Sequence, residues 1–164
     1  KHRIRSWVHL LALSAGRPEP SWRSVVIGTK RRGGRYVADT FEVGPIDGDR
    51  AGVILARLAA VYDRGMCQAL PLAPRTSEEF ARSRLAQARY ETAIAAAARL
   101  WGSTDRRSGE NADEAHRYVW GTEAPLSSLL QVQVDRLDLQ GDPNAFAALA
   151  RHVWLDLLRT AASS

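Results

Sequence analysis

The densest group of chemistry-bearing side chains in the chain is Lys30-Arg31-Arg32-Gly33-Gly34-Arg35, four cations within six residues. Cations at this spacing can take the place of condensed counterions along a phosphate backbone, which makes Lys30, Arg31, Arg32 and Arg35 candidate DNA contacts. The simpler account is an exposed turn kept soluble by its charge, a device common on sheet edges. The sequence alone favours the simpler account and leaves the other open.

Carboxylates are the second place to look for chemistry. Metal-dependent cleavage of a phosphodiester needs two or three converging acids around Mg²⁺ and a cation to position water or neutralise charge. A strand pair reading Asp … Asp/Glu-x-Lys supplies such a set in the restriction-enzyme-like fold. Here the first strand reads Ile27-Gly28-Thr29-Lys30, with glycine at the acid position. The second reads Asp39-Thr40-Phe41, with phenylalanine at the lysine position. Glu42 alternates to the face opposite Asp39. Asp47 and Asp49 lie close to a helix start and read as its caps. One carboxylate cannot fix the metal, so no catalytic residue and no metal ligand is assigned.

Other chemistries lack their signatures. No phosphate-binding glycine loop, dinucleotide fingerprint, nucleophile elbow or zinc-ligand spacing occurs, and no cofactor is implied. His2, His9, His116 and His152 are scattered, and Cys67 is the single cysteine, so no disulfide framework exists. Trp7, Trp101, Trp120 and Trp154 fall on helix stripes or helix ends, where packing is the better account than base stacking. Trp22, beside Arg17 and Arg23, is left open.

The elements that would position these residues can be read from periodicity. Ile4, Trp7, Val8 and Leu11 make an apolar stripe and predict a helix over 3–15, with Gly16 as a left-handed end and Pro18 as a stop. Two strands, 22–28 and 35–43, are expected to pair antiparallel, because Gly33-Gly34 permits the positive φ of a hairpin turn. A second helix starts near Asp47 or Asp49, buries Ile54, Leu58, Val61 and Tyr62, and ends at Gly65. Residues 66–75 are too proline-rich for a helix and read as extended, with a short edge strand one form of that. Thr76 opens one long helix to about Trp101, with Glu79 completing a capping box. Residues 102–111 read as a polar loop and the stretch most prone to disorder. A short helix follows from Asn111 with Glu114 as its capping partner, closed by Gly121. Another covers 125–130, and 131–135 fits either strand or irregular structure. Asp142 caps the last helix, Pro143 takes its first position, and Phe146, Leu149, Ala150, Val153, Trp154, Leu157 and Leu158 form its buried stripe.

The fold class is therefore α/β in the α+β sense: a small, partly antiparallel sheet flanked by several helices. At 164 residues the chain is expected to be a single domain over 1–164, large enough to bury a core. It begins at Lys1, without a signal-peptide pattern, and holds no apolar run long enough to span a bilayer. A cytoplasmic fragment of a longer chain fits these features. The net charge is +5, and only Lys1 and Lys30 of the 23 basic residues are lysines. That bias also follows from a GC-rich genome, so charge alone says little about a nucleic-acid partner.

The segments Trp7-Val8-His9-Leu10-Leu11-Ala12-Leu13 and Trp22-Arg23-Ser24-Val25-Val26-Ile27-Gly28 carry a resemblance. So do Leu58–Met66, the run Leu70-Pro71-Leu72-Ala73-Pro74-Arg75-Thr76-Ser77, His116–Gly121 and the final Phe146–Leu158 helix. The most specific part is Tyr62-x-x-Gly65-Met66 leading into Leu70-Pro71-Leu72 and closed by Pro74-Arg75-Thr76. Apart from 102–111, most of the chain resembles the C-terminal domain of the exodeoxyribonuclease V gamma (RecC) family. The resemblance implies a RecBCD-type helicase–nuclease that processes duplex ends for recombination, with RecB-like and RecD-like subunits and DNA as partners and no membrane. It implies a nuclease-like fold stripped of its active site, serving as a non-catalytic scaffold at the DNA fork. The missing acid and lysine of the strand pair agree with that loss. An active metal-dependent nuclease and a free-standing DNA-binding module are the alternatives. A scaffold is also expected to leave apolar residues exposed on the helix 77–101 or on the C-terminal helix.

Overall fold

A computed structural model describes residues 2–17, 19, 21–102, 104, 108–135 and 137–162. Two compact units are present, Lys1–Ala59 with Asp156–Ser164, and Ala60–Leu155. Among the described residues there are seven α-helices and one two-stranded antiparallel sheet. This is the small α+β architecture that the sequence pattern implies. No helix among them is long and apolar enough to cross a membrane.

The first unit begins with α1, His2–Gly16, whose buried face is Trp7, Leu10, Leu11 and Ser14. Gly16 stays inside the helix instead of turning left-handed, and the Arg17 N–H donates to the Leu13 carbonyl at 2.8 Å. The stop expected at Pro18 lies outside the described residues. Strands β1, Ser24–Arg32, and β2, Arg35–Val43, form the hairpin, and α1 packs on β1. The Ser6 and Ser24 hydroxyls hydrogen-bond to each other where α1 meets β1. At the sheet exit Gly44 has φ +108°, and a Cβ there would lie 2.9 Å from the Trp22 carbonyl oxygen. Only glycine fits that close approach.

Helix α2, Gly48–Cys67, starts where the Asp47 carboxylate accepts the Arg50 backbone N–H at 3.0 Å. The cap was legible because a carboxylate before a helix satisfies an orphan N–H and favours the helix dipole. Gly65 does not end the helix, which continues to Cys67, and Tyr62 is 67% exposed where burial was expected. In the first unit Asp156 receives both Arg57 and Arg50 of α2, the latter at 3.4 Å.

The second unit holds α3 (Pro74–Leu85), α4 (Tyr90–Trp101), α5 (Glu114–Trp120), α6 (Leu126–Leu130) and most of α7 (Ala145–Ala162). Its core joins Phe80, Ala93, Ala97, Trp101, Leu129 and Phe146. Phe80 meets Tyr90 and Phe146 edge-on, with ring centroids 5.8 and 5.4 Å apart. Truncating either buried phenylalanine to alanine costs about 3–5 kcal/mol, since transfer and cavity terms add. Trp101 and Trp154 are buried and satisfied: their indole N–H groups donate to the Ala124 carbonyl at 2.7 Å and the Ser77 hydroxyl at 2.9 Å.

Several boundaries differ from the sequence reading. The expected helix 76–101 is two helices, α3 and α4, separated at Gln87, whose φ is +63°. No glycine or proline marks this break. The turn is held by backbone bonds from Gln87 to Arg84 and from Ala88 to Ser83, and it brings Tyr90 onto Phe80. Residues 68–73 form neither helix nor strand. The Thr76–Glu79 capping box does not form. Pro74 opens α3, and Thr76 instead turns both its N–H and its hydroxyl toward Glu110, each at 2.8 Å. Asp113, not Asn111, caps α5, accepting from the Ala115 N–H at 3.1 Å. Asn144, not Asp142, caps α7 through the Ala147 N–H at 3.0 Å, while Asp142 holds the Arg151 guanidinium at 2.8 Å. Within 102–111, Glu110 and Asn111 are buried in a 3-10 turn, and Ser103 and 105–107 lie outside the described residues. The run 131–135 is irregular.

Candidate nucleic-acid interface

The hairpin is closed by Gly33 and Gly34, with φ of +56° and +80°. Two consecutive positive φ values match the twist of the flanking strands and leave a two-residue turn. β1 consequently runs through Arg32, so Lys30, Arg31 and Arg32 are strand residues and not part of a six-residue loop. The register pairs Arg32 with Arg35, Arg31 with Tyr36, Lys30 with Val37 and Gly28 with Asp39.

That register divides the four candidate cations between two faces, because directly opposed residues share a face and neighbours along a strand alternate. Lys30, Arg32 and Arg35 lie on the face that also carries Asp39, Phe41 and Val43. Arg31 lies on the other, with Tyr36, Ile27 and Val25. The four are brought together at the hairpin tip but do not form one flat cluster.

They also differ in whether they are free. The Lys30 ammonium donates to the Asp39 carboxylate, reaching diagonally across the two strands. This bond to Lys30 holds the Asp39 carboxyl below its ordinary range, with burial opposing and the charges of Lys30 and Arg3 assisting. Arg31, Arg32 and Arg35 are exposed and have no ion-pair partner among the described residues. Arg23 at the base of the hairpin is taken by Glu42 at 3.0 Å.

The same register bears on the nuclease pattern. Gly28 stands directly across from Asp39, so the acid position of the first strand holds no side chain. Phe41, at the lysine position, lies under the Arg3 guanidinium, 4.6 Å from the ring centroid. Asp39 is left as one carboxylate with a lysine already on it. No group of three or more His, Cys, Asp or Glu among the described residues could hold a metal ion. A cleft of about 370 Å³ in the second unit is lined by Trp101, Asn111, Glu123 and Leu126 among others. Its one carboxylate has no titratable partner in the lining.

Sequence reasoning missed Tyr36, which falls within the expected strand 35–43. It is 77% exposed, on the same face as Ile27 at 76% and Val25 at 52%. The signal was present: a two-residue Gly-Gly turn fixes the pairing, which puts Tyr36 opposite Arg31. Among the described residues, no large apolar side chain on 77–101 or the C-terminal helix is exposed. The large exposed apolar residues lie on the hairpin, on α2 (Val53, Tyr62, Met66) and on α5 (Tyr118, Val119), with single residues such as Leu13 elsewhere.

Comparison with known proteins gives this geometry its family. Residues 1–85, which include the hairpin, match the model of the RecC C-terminal domain. The chain belongs to the RecC C-terminal domain family. It is similar to the RecBCD enzyme subunit RecC of Mycolicibacterium smegmatis, 36% identical over 160 residues, which is 97% of this chain and 14% of that protein. It is also similar to the RecBCD enzyme subunit RecC of Mycobacterium tuberculosis, 30% identical over 159 residues, 96% of this chain and 14% of that protein. The chain thus spans about one seventh of the length of the RecC relatives it matches. The family match carries no site residue with it, so the roles of the hairpin cations rest on their geometry.

Proposed function

We propose that this RecC-family domain is a non-catalytic scaffold of an exodeoxyribonuclease V type complex. It holds RecB-like and RecD-like subunits and touches DNA at the fork, in the cytoplasm, during repair of double-strand breaks by recombination. The observation that carries this reading is the hairpin. Three arginines with no ion-pair partner among the described residues project from it, while its single strand carboxylate of the nuclease pattern is bound to Lys30. In this reading Arg31, Arg32 and Arg35 meet phosphates. Lys30, also a candidate, serves mainly to hold Asp39, and no cofactor takes part. Exposed apolar side chains on α2 and α5 supply surface for protein partners, since clustered exposed apolar groups mark interaction sites.

The test is co-expression with RecB-like and RecD-like subunits followed by affinity capture. The expected result is co-purification that Tyr118→Ser or Met66→Ser weakens. A chain that captures neither subunit, while remaining folded by circular dichroism, overturns the scaffold role.

A further inference from the structure

We propose that the outward face of the β1–β2 hairpin is a platform for unpaired nucleic-acid strands, with Tyr36 stacking on a base and Arg31 beside it on the phosphate. This rests on the DNA-contact reading above and narrows it from DNA in general to single strands. The register sets Arg31 and Tyr36 directly opposite each other on one face. Side chains so paired have Cβ atoms about 4.5–5.5 Å apart, close enough for one nucleotide to touch both.

Charge and apolar surface make different demands on a ligand. Arginines alone would favour a duplex, whose charge density is the higher. An exposed ring gains little there, because duplex bases are stacked on each other. An unpaired base offers its π-face, and stacking on an aromatic residue is tolerant of sequence. Tyr36 at 77% exposure is open to such a base, and Ile27 and Val25 lie further along the same face, beyond the Thr29–Ala38 pair. Arg31 and Tyr36 have no side-chain partner among the described residues, so neither must give up a bond to receive the strand. Arg32 and Arg35, opposed at the end of the hairpin, place charge on the opposite face of the same tip.

The experiment measures binding of the full chain, by fluorescence anisotropy, to a mixed-sequence single-stranded oligonucleotide, to the matching blunt duplex, and to inorganic polyphosphate. Tighter binding of the single strand is expected. Tyr36→Ala should weaken it about fivefold or more while leaving polyphosphate binding unchanged, and Tyr36→Phe should keep affinity within about twofold. The combined Arg31→Gln, Arg32→Gln, Arg35→Gln variant should lose all three ligands. If that triple variant loses binding but Tyr36→Ala affects no ligand, or the duplex binds as tightly as the strand, the platform is refuted and the DNA-contact reading stands. If the triple variant binds like the wild type, or the wild type binds no oligonucleotide because the face meets a protein instead, both readings fall. Circular dichroism of each variant confirms that the hairpin remains folded.

Discussion

Asp39 occupies the second-strand acid position of the nuclease sequence pattern, and Lys30 holds it as half of an ion pair. The pair gives the residue a measurable signature. Because the Lys30 bond favours the ionised carboxylate, the Asp39 midpoint lies below the ordinary value of 3.8. A depressed folded value stabilises above the unfolded one, and the benefit disappears as pH falls through the lowered midpoint. The contribution of this pair is therefore complete at neutral pH and is lost only in the acid range below 3.8. An NMR titration of the Asp39 carboxyl should place it below that value, and Lys30→Gln should return it toward 3.8. The same geometry predicts that wild type and Asp39→Asn are equally unable to cleave linear or single-stranded DNA with Mg²⁺ or Mn²⁺. Metal-dependent cleavage that vanishes in Asp39→Asn would make the chain an enzyme. Both residues were legible in the sequence. Their contact was not, since it depends on β1 continuing past Thr29 to the Gly33-Gly34 turn.

Among the elements, the caps separate what local sequence decides from what the tertiary fold decides. Asp47 and Gly121 act where the local pattern puts them, the latter ending α5 with φ +95°. The start of α3 is decided from 34 positions away. Glu110 accepts the Arg75 N–H at 2.9 Å and both Thr76 donors, so a carboxylate brought by the fold replaces the expected Glu79. No window of local sequence contains this pairing. Glu110→Ala should therefore cost about 2–3 kcal/mol, because it strips charge-assisted bonds from a buried helix start. Glu79→Ala should stay within about 0.5 kcal/mol, as a surface change does. Urea denaturation of the two variants compares them directly, and equal losses would restore the local capping box. At α7, Asn144 has two tasks: its Oδ1 accepts the Ala147 N–H, and its Nδ2 donates to the Tyr90 hydroxyl at 2.7 Å. Asn144→Ala should cost about 1–2 kcal/mol, and Asp142→Ala should act instead through the freed Arg151. The break at Gln87 was illegible for a related reason. Residues 84–89 all tolerate a helix, and the packing of Phe80 on Tyr90 is what the turn makes possible.

For the molecule as a whole, the question is whether a net charge of +5 acts as a diffuse field or through one site. Much of the basic charge is engaged: Arg23 with Glu42, Lys30 with Asp39, Arg50 and Arg57 with Asp156, Arg82 with Glu78, and Arg151 with Asp142. Arg31, Arg32 and Arg35 stand apart as three neighbouring exposed cations at one tip. These alternatives differ in salt dependence. Each phosphate neutralised on a single strand contributes about 0.7 to the slope of log affinity against log salt, so three contacts give a slope of about −2. A diffuse field drawing on cations over the whole surface gives a steeper slope, shared among many residues. We therefore expect a slope near −2 for single-stranded DNA, falling toward zero in the Arg31→Gln, Arg32→Gln, Arg35→Gln variant. Exchange of three exposed arginines of the second unit that form no ion pair among the described residues, Arg84, Arg99 and Arg117, should leave the slope unchanged. Anisotropy titrations across a salt series decide it. If the second-unit variant flattens the slope as much as the hairpin variant does, the field is diffuse and the hairpin is only an exposed, charged turn, which is the simpler account that its sequence first suggests.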